Sequence, residues 1–509
     1  MNWSIYLAEI CFGAMVFSLP FTVLPVRYNI PVLGGNLPQI FLLFSIFFCG
    51  IYLINNRHVP NFSGKKYFII FFLWSLFCLI WGCWHFPFYD AAIDQSLRDS
   101  RMVSIFSIVF PSLKENIFFL HAKMFFSYFW YMLKGFFFPF IGVFFIVYTL
   151  FREGKIENLR KYLYYGIYGL SILMTLYSIP EIIWLWTGNS ICAQLLSFIN
   201  IHLYDPALYN NWWPPLLWKG QLRSICLEPS YFGIIVTFLV PFLAIDISRK
   251  FKFWKIVLIF ILVFMIFMTK ARTATVIFLG ESFVFLLASL FFRYSKWKRY
   301  VGIWFGIIIC AFGIYLGGYS LLNQDTSTSE LTEQYISENV TSVVGKDKRS
   351  NSARFGNTIA MLRIGIDYSL TGVGMGLHAP YMAERFPNFA QDNHEVKKWI
   401  QDMREKTFLE SGVPVLNEYA AIWAWNGILG LFLFLLAPIH VIKRGLMRIQ
   451  NHKSFEMVCL LTVLIGQMAC MFSSEMFLTY PLALWIAYCS FRKDNNYGTT
   501  AYLNNRSCL

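Results

Sequence analysis

The sequence predicts an all-α polytopic membrane protein with about 12 transmembrane helices. Composition is the first observation, because 57% of the residues are hydrophobic, 19% are aromatic and only 14% are charged. Soluble domains average about 25% charged residues. The second observation is a series of apolar runs long enough to cross a bilayer, and the third is a regular alternation of basic loops between them.

The apolar runs give the order of the spans. The first run, at about 5–25, contains Glu9 and lacks a clear small-residue cleavage site after it, so we interpret it as a retained span and not a signal peptide. The fourth run, 117–151, is interrupted by Lys123 and Lys134, which leaves a re-entrant or interfacial helix as the alternative. The runs are centred near residues 15, 43, 76, 140, 174, 239, 262, 283, 308, 428, 463 and 482.

Basic residues mark every second loop. The positive-inside rule places such loops, and with them both termini, in the cytoplasm. About half of the cations behind the net charge of +14 then face anionic lipid headgroups, so no nucleic-acid partner is expected. The basic loops carry Arg57, Lys65 and Lys66; Arg152, Lys155, Arg160 and Lys161; Arg249, Lys250, Lys252 and Lys255; Arg293, Lys296, Lys298 and Arg299; Lys443, Arg444, Arg448 and Lys453; and Arg492 and Lys493.

Three long segments lie on the outward side in this topology. The longest is inserted into a single membrane domain, 1–509, and has room for several helices. It begins with a polar stretch, Gln324–Lys348, and continues with an amphipathic pattern over Phe355–Tyr368 that predicts a helix. The three segments are 88–116, 189–230 and 320–414.

Five cations on the outward side are candidate ligand-binding residues. Arginine presents a planar fork that binds phosphate oxygens in pairs, and ionisable groups at membrane depth are costly and tend to be functional. The alternatives are an interfacial arginine in the turn before a span for Arg223, snorkelling to outer headgroups for Lys270 and Arg272, and simple exposure on a helix for Arg363. Arg354 and Arg363 are nine residues apart on one predicted helix, so they should face different sides. The five are Arg223, Lys270, Arg272, Arg354 and Arg363.

Acid/base candidates lie in the same outward segments. Pro229 predicts the first turn of span six, which places Glu228 near a helix N-terminus. We interpret Glu228 as an acid/base or acceptor-orienting group, with an ordinary turn at the start of the span as the alternative. His378 and His394 are further candidate bases of lower priority.

The remaining sequence features are a glycine-rich turn and the spacing of potential metal ligands. Gly372, Gly374 and Gly376 lack the preceding strand of a nucleotide-binding fingerprint, so either a backbone nest for an anion or plain turn geometry remains open. The sequence has no HExxH motif, no Cys/His quartet and no DxD-type acidic pair of the kind that metal-dependent sugar transferases use. No metal or other cofactor is therefore expected.

Five segments in a fixed order carry a family resemblance. They are R-x-x-x-x-E-P-S-x-F-G at 223–233, T-K-A-R-T-A at 269–274, R-F-G-N-T-I-A-M-L at 354–362, S-L-T-G-V-G-M-G at 369–376 and N-E-Y-A-A-I-W-A-W-N-G-I-L-G-L at 417–431. Taken together, and with a long outward loop before the last of them, they resemble the O-antigen polymerase and O-antigen ligase superfamily of bacterial membrane proteins. The resemblance covers about 220 to 435.

This resemblance implies a substrate and a set of binding residues. The substrate would be an undecaprenyl-pyrophosphate-linked glycan, presented at the outer face of the bacterial inner membrane. Arg223 and Arg272 would grip the diphosphate and take part in catalysis with Glu228. Arg354 would lie in the same pocket, with Lys270 beside it.

The late motif favours a polymerase over a ligase. Ligases of the superfamily often carry a histidine just before the asparagine of this motif, and here Leu416 precedes Asn417. The prediction is therefore a glycosyltransferase that joins lipid-linked repeat units, with the lipid diphosphate as leaving group. A ligase acting on lipid A core and a transporter or lipid flippase are the alternatives. Membrane lipids, a chain-length regulator and a flippase of the same pathway are the implied partners.

Overall fold

The computed structural model describes residues 3–28, 34–57, 61–62, 64–92, 101–154, 156–204, 220–292, 295–322, 333, 337, 349–405, 413–452 and 454–491. Regular secondary structure within these residues is helical throughout, which confirms the predicted class. The predicted polar stretch Gln324–Lys348 lies outside the described residues apart from positions 333 and 337.

Nineteen α-helices are described in these ranges, besides the short 3₁₀-helices Val26–Tyr28 and Pro111–Lys114. They are α1 Trp3–Phe17, α2 Leu37–Asn55, α3 Lys65–Trp84, α4 Tyr89–Ala92, α5 Arg101–Val109, α6 Ile117–Glu153, α7 Ile156–Thr187, α8 Ser190–Leu203, α9 Pro229–Arg249, α10 Phe253–Thr269, α11 Arg272–Phe292, α12 Ser295–Leu322, α13 Arg349–Asp367, α14 His378–Ala383, α15 Asn388–Gln391, α16 His394–Glu405, α17 Glu418–His452, α18 Phe455–Cys470 and α19 Thr479–Phe491.

Eight of these helices are long and apolar enough to cross a membrane, namely α2, α3, α6, α7, α9, α11, α12 and α17. The chain is therefore a multi-pass helical membrane protein. The four other predicted spans fall on the shorter helices α1, α10, α18 and α19, which have 15, 17, 16 and 13 residues. The number of twelve spans stays a prediction.

The fourth predicted span is one long helix. Helix α6 has 37 residues, about 55 Å in length. Its middle widens into a π-helical turn, Met132–Phe137, which contains Lys134. Because the helix continues through both lysines, the re-entrant alternative is not supported. At 1.5 Å per residue α6 is longer than the hydrocarbon core, so part of it extends beyond the lipid.

Three of the predicted basic loops meet at one end of the helix bundle. Arg249, at the end of α9, forms an ion pair with Glu456 near the start of α18. Arg160, near the start of α7, lies 3.8 Å from the same carboxylate. Lys255, near the start of α10, contacts Asp246 of α9. These contacts fit the predicted alternation, in which basic loops share one face of the membrane.

Helix α17 is broken inside the membrane-crossing length. Gly427 has φ 66° and ψ −178°, which ends one helical segment and starts another. The carbonyls freed by the break accept hydrogen bonds from the glycine-rich turn, with Val373 donating to Ala424 and Gly374 donating to Trp425, each at 2.9 Å. The break is thus filled by backbone, as a buried polar group requires.

The same contacts decide how the glycine-rich turn is used. The N–H groups of Val373 and Gly374 are occupied by the break, which favours plain turn geometry over an anion nest. Gly427 tolerates no side chain, because a Cβ there would lie 1.9 Å from the carbonyl oxygen of Leu370. Gly82 of α3 likewise lies against the turn, since its Cβ would be 2.0 Å from the carbonyl oxygen of Val373.

Candidate functional site

Four chain segments that are distant in sequence meet at the opposite end of the bundle from the basic loops. The start of α11 contacts α13 through a hydrogen bond from Arg272 to Asn351. Helix α13 contacts the loop between α18 and α19 through Arg354 and Ser473. That loop in turn contacts the start of α17 through Met476 and Glu418. We call the loop 471–478 the α18–α19 loop.

Two arginines lie together at this junction. Arg272 is the first residue of α11 and directs Nη1 to Asn351 Oδ1 at 2.7 Å. Arg354, five residues into α13, donates from Nη1 to the carbonyl oxygen of Ser473 at 2.8 Å. Both side chains are half-buried. Their positive charges are close enough to repel one another, so an anion held by both would be favourable.

Carboxylates face the same junction. Glu228 is half-buried at the position before α9, and its Oε2 accepts a hydrogen bond of 3.1 Å from the Ser230 hydroxyl. Glu228 lies within electrostatic range of Glu475 in the α18–α19 loop, and Glu475 in turn lies within range of Glu418. The junction therefore combines a cationic pair with three carboxylates. Glu228 and Arg272 were predicted from the sequence, whereas Glu418 and Glu475 were not.

Glu418 and Glu475 differ in burial. Glu418 is 2% exposed, and its Oε2 accepts a hydrogen bond of 3.0 Å from the backbone N–H of Met476. Glu475 is exposed to solvent. Its pKa is nevertheless raised, first because surrounding protein displaces water and then because of the negative charge of Glu228. An accessible carboxyl that is also crowded by protein lies in a recess and not on a convex surface.

Arg223 is enclosed by protein, an arrangement that does not favour its predicted role as a diphosphate clamp. Its side chain is 1% exposed. Nη1 donates to the carbonyl oxygen of Cys226 at 2.9 Å, and Nη2 donates to the Tyr177 hydroxyl at 3.2 Å. The guanidinium also lies over the ring of Tyr204 at 4.7 Å. A cation enclosed in this way favours a structural role for Arg223 over the predicted roles in diphosphate binding and catalysis, which stay predictions.

Glu181 explains why the cation can be buried. Both of its oxygens accept backbone hydrogen bonds, from Arg223 at 2.9 Å and from Ser224 at 2.8 Å. Burial lowers the pKa of Arg223, but Tyr204, Tyr177 and Glu181 outweigh that effect and leave its pKa raised. Arg223 is therefore a charged structural residue that fastens the segment before α9 to α7. An acidic residue inside an apolar span is the signal that would have revealed this pairing.

The two remaining predicted cations are Lys270 and Arg363. Lys270 ends α10 in a left-handed conformation, with φ 48°, and makes the tight turn into α11. Arg363 is exposed and donates from Nη1 to the carbonyl oxygen of Arg385 at 2.9 Å. Arg354 and Arg363 thus face different sides of α13, as predicted from their spacing.

The predicted histidine bases are not part of this junction. His378 is buried, and its Nδ1 accepts a hydrogen bond of 2.8 Å from the Trp425 indole. Burial lowers the pKa of His378 to about 4, an effect that the backbone of Val413 partly opposes. This histidine is a neutral packing residue at pH 7. His394 is exposed at the start of α16, a helix that packs on α14 and α15.

Asn417 has a structural role at the start of α17. Its Oδ1 accepts a hydrogen bond of 3.0 Å from the backbone N–H of Ala420, three residues later. This is the geometry of a helix N-cap, which satisfies a backbone donor of the first turn. The cap directs the next residue, Glu418, into the junction.

Neither the arrangement of potential metal ligands in the described residues nor the comparison with known proteins assigns a further role to the residues of the junction. Within the described ranges, no group of three or more His, Cys, Asp or Glu side chains is arranged to hold a metal ion. Compared with known proteins, the chain matches no family model and no curated sequence. The geometry of the junction and the sequence motifs are therefore the features that bear on function.

Proposed function

We propose that this chain is a polysaccharide polymerase, a glycosyltransferase that joins oligosaccharide repeat units carried on a lipid diphosphate. The observation that carries the proposal is the pair formed by Arg272 and Arg354, half-buried at one end of the bundle and faced by carboxylates. Two adjacent guanidinium groups match the charge of a diphosphate, and the carboxylates match the need to orient a sugar hydroxyl.

The proposed reaction is a substitution at the anomeric carbon. An oxygen of a sugar hydroxyl on a second lipid-linked unit attacks that carbon and forms the new glycosidic bond, most simply with inversion. The bond from the anomeric carbon to the diphosphate oxygen breaks, and its electron pair leaves with the diphosphate. Arg272 and Arg354 stabilise the charge that develops there. Glu228 orients the attacking hydroxyl, whose proton passes to a carboxylate of the junction.

The proposed topology has twelve spans, both termini in the cytoplasm and the junction on the outer side of the bacterial inner membrane. The contacts of Arg160 and Arg249 with Glu456 support it, because they gather predicted cytoplasmic loops at the end away from the arginine pair. Lipid-linked glycans assembled inside the cell and moved outward would meet the junction at the outer surface of the membrane. The long segment that carries α13 to α16 would cover it.

A transporter is the rival function with a structural feature in its favour. Broken membrane helices in transporters expose backbone groups to the cargo. In α17 the carbonyls of Ala424, Trp425 and Asn426 instead accept hydrogen bonds from Val373, Gly374 and the indole of Trp74. Because the break is filled by protein, it supports a fixed scaffold more than a cargo site.

Alanine variants of the arginine pair test the proposal. Purified wild-type protein should convert lipid-linked glycan, extracted from cells that lack this chain, into longer lipid-linked polymer. R272A and R354A should each lower the rate by about 10²–10³-fold, as loss of a charge-stabilising donor does. The matched control is R363A, nine residues along α13 on its exposed face, which should retain the wild-type rate.

The products formed distinguish the rival functions. Accumulation of single repeat units on the lipid in a deletion strain supports a polymerase. Accumulation of finished polymer on the lipid would support a ligase, and accumulation of repeat units on the cytoplasmic leaflet would support a flippase. Equal rates for R272A and R363A would remove the arginine pair from the reaction.

A further inference from the structure

The α18–α19 loop is held on both sides of Glu475. Before it, the carbonyl oxygen of Ser473 accepts a hydrogen bond of 2.8 Å from Arg354. After it, the backbone N–H of Met476 donates to Glu418 Oε2 at 3.0 Å. The first residue of the loop, Met471, accepts a further hydrogen bond of 2.9 Å from the backbone N–H of Glu418. The backbone on both sides of Glu475 is thus held, by Arg354 before it and by Glu418 after it.

The carboxylates of the junction have different freedom to react. Glu418 is buried, and its Oε2 supports the loop. Glu228 accepts a hydrogen bond from Ser230. Glu475 is the carboxylate exposed in the recess, within electrostatic range of both. Of the three, it is therefore the group best placed to meet an incoming hydroxyl.

We infer that Glu475 is the general base of the reaction, and that Glu418 is a positioning residue that holds the loop carrying it. The inference rests on the proposed polymerase function and deepens it. Glu475 accepts the proton of the acceptor hydroxyl as the oxygen bonds to the anomeric carbon. The electron pair of the broken bond goes to the diphosphate beside Arg354, so charge and protons balance without another reactant.

The charged surroundings of Glu475 suit this role. The titratable groups within electrostatic range of Glu475 are Glu228 before α9, Glu418 at the start of α17 and Tyr131 on α6, and Arg354 contacts the loop two residues before it, at Ser473. A base works best when its pKa is close to the working pH, and the crowding and the neighbouring carboxylate raise the pKa of Glu475 in that direction. Arg354 contacts the loop backbone at Ser473 and is left to face the diphosphate.

Glutamine and alanine variants of Glu475 test the inference in the polymerisation assay. E475Q, which keeps the shape and loses the base, should lower the rate by about 10²–10⁴-fold. E475A should recover part of its rate when formate is added, because a small carboxylate can enter the vacated space and take the proton. The wild-type rate should rise with pH through the raised pKa of Glu475, and E475Q should lose this limb of the profile.

Binding measurements and a control variant separate a chemical role from a structural one. Undecaprenyl pyrophosphate should bind E475Q as tightly as wild type, whereas R354A should bind it less tightly. The matched control is E384Q, an exposed glutamate beside Arg385 at the end of α14, with a wild-type rate and pH profile expected. E418Q should lower the rate but keep the acid limb of the profile, which is the rise in rate with pH through the pKa of Glu475.

The outcomes distinguish failure of the inference from failure of the proposed function. If wild-type protein forms no polymer from the extracted glycan, the proposed function fails. If wild type is active, two results would show that Glu475 is not the base. One is an E475Q variant that is as active as wild type. The other is an E475A variant whose activity formate does not restore at all, with R354A inactive in the same assay. A wild-type pH profile in E475Q would also overturn the assignment.

Discussion

Arg223 and the pair formed by Arg272 and Arg354 show two ways in which a membrane protein uses arginine near the ends of its spans. Arg223 is 1% exposed and gives its hydrogen bonds to Cys226 and Tyr177. The other two are half-buried and lie close enough to repel each other. The charge of Arg223 is satisfied within the protein. Arg272 and Arg354 instead place two like charges close together where they are partly accessible.

A carboxylate in the neighbouring span distinguishes the enclosed Arg223 from the two arginines that we propose to bind an anion. A buried cation is tolerated when its charge and hydrogen bonds are matched. Cys226 and Tyr177 accept the hydrogen bonds of the Arg223 guanidinium, and the negative charge of Glu181 favours its charged form. Placing two cations side by side raises the energy of the empty site. Such an arrangement is useful when an anion binds both.

Removing the guanidinium of Arg223 should have the largest effect on stability. R223M leaves the carboxylate of Glu181 buried without its cation, which typically costs about 3–5 kcal/mol. Thermal unfolding of the detergent-solubilised protein and its amount in membranes would measure this loss. R363M is the control and should stay within about 0.5 kcal/mol of wild type. If R223M is stable but binds undecaprenyl pyrophosphate weakly, Arg223 is instead a ligand-binding residue.

The sequence predicted the local features around the site well. Helix α9 begins at Pro229, as expected from the turn preference of proline, and a tight turn joins α10 to Arg272. The amphipathic pattern predicted over Phe355–Tyr368 falls on α13, which begins earlier, at Arg349, and so includes Arg354. These features depend on short-range patterns of apolar, polar and turn residues, which a single sequence displays directly.

The sequence could not separate Arg223 from the other arginines or identify Glu475. The partner of Arg223 lies 42 residues earlier in the chain, on another helix. Glu475 lies more than a hundred residues after Arg354, and the two share one region because Arg354 contacts Ser473 of the α18–α19 loop. Both facts are tertiary, so periodicity and motif spacing do not contain them. The acidic residue inside span α7 was the available signal for the first.

A lysine in place of Arg354 should have an intermediate effect. R354K keeps the positive charge but loses the planar fork, and with it one charge-assisted hydrogen bond worth about 1.5–3 kcal/mol. The polymerisation rate should therefore fall by about 10–100-fold, while the unfolding temperature stays near that of wild type. R363K is the matched control. A larger loss in unfolding temperature than in rate would make Arg354 structural, like Arg223.

The smallest effect expected is a change in pH dependence on neutralising Glu228. The negative charge of Glu228 raises the pKa of Glu475, so E228Q should lower that pKa and move the acid limb of the rate profile to lower pH. Each pH unit of the measured shift would correspond to about 1.4 kcal/mol of interaction between the two carboxylates.

The sign of this shift separates two functions of Glu228 in the junction. E228Q should also reduce the maximal rate, because the amide orients the acceptor hydroxyl less well. The pH at which the acid limb lies does not depend on this reduction in maximal rate. E384Q should leave the limb in place, as its carboxylate pairs with Arg385 away from the loop. Because the interaction is electrostatic, added salt should shrink the difference between wild type and E228Q. A limb that moves to higher pH, or does not move, would mean that Glu228 and Glu475 do not share one recess.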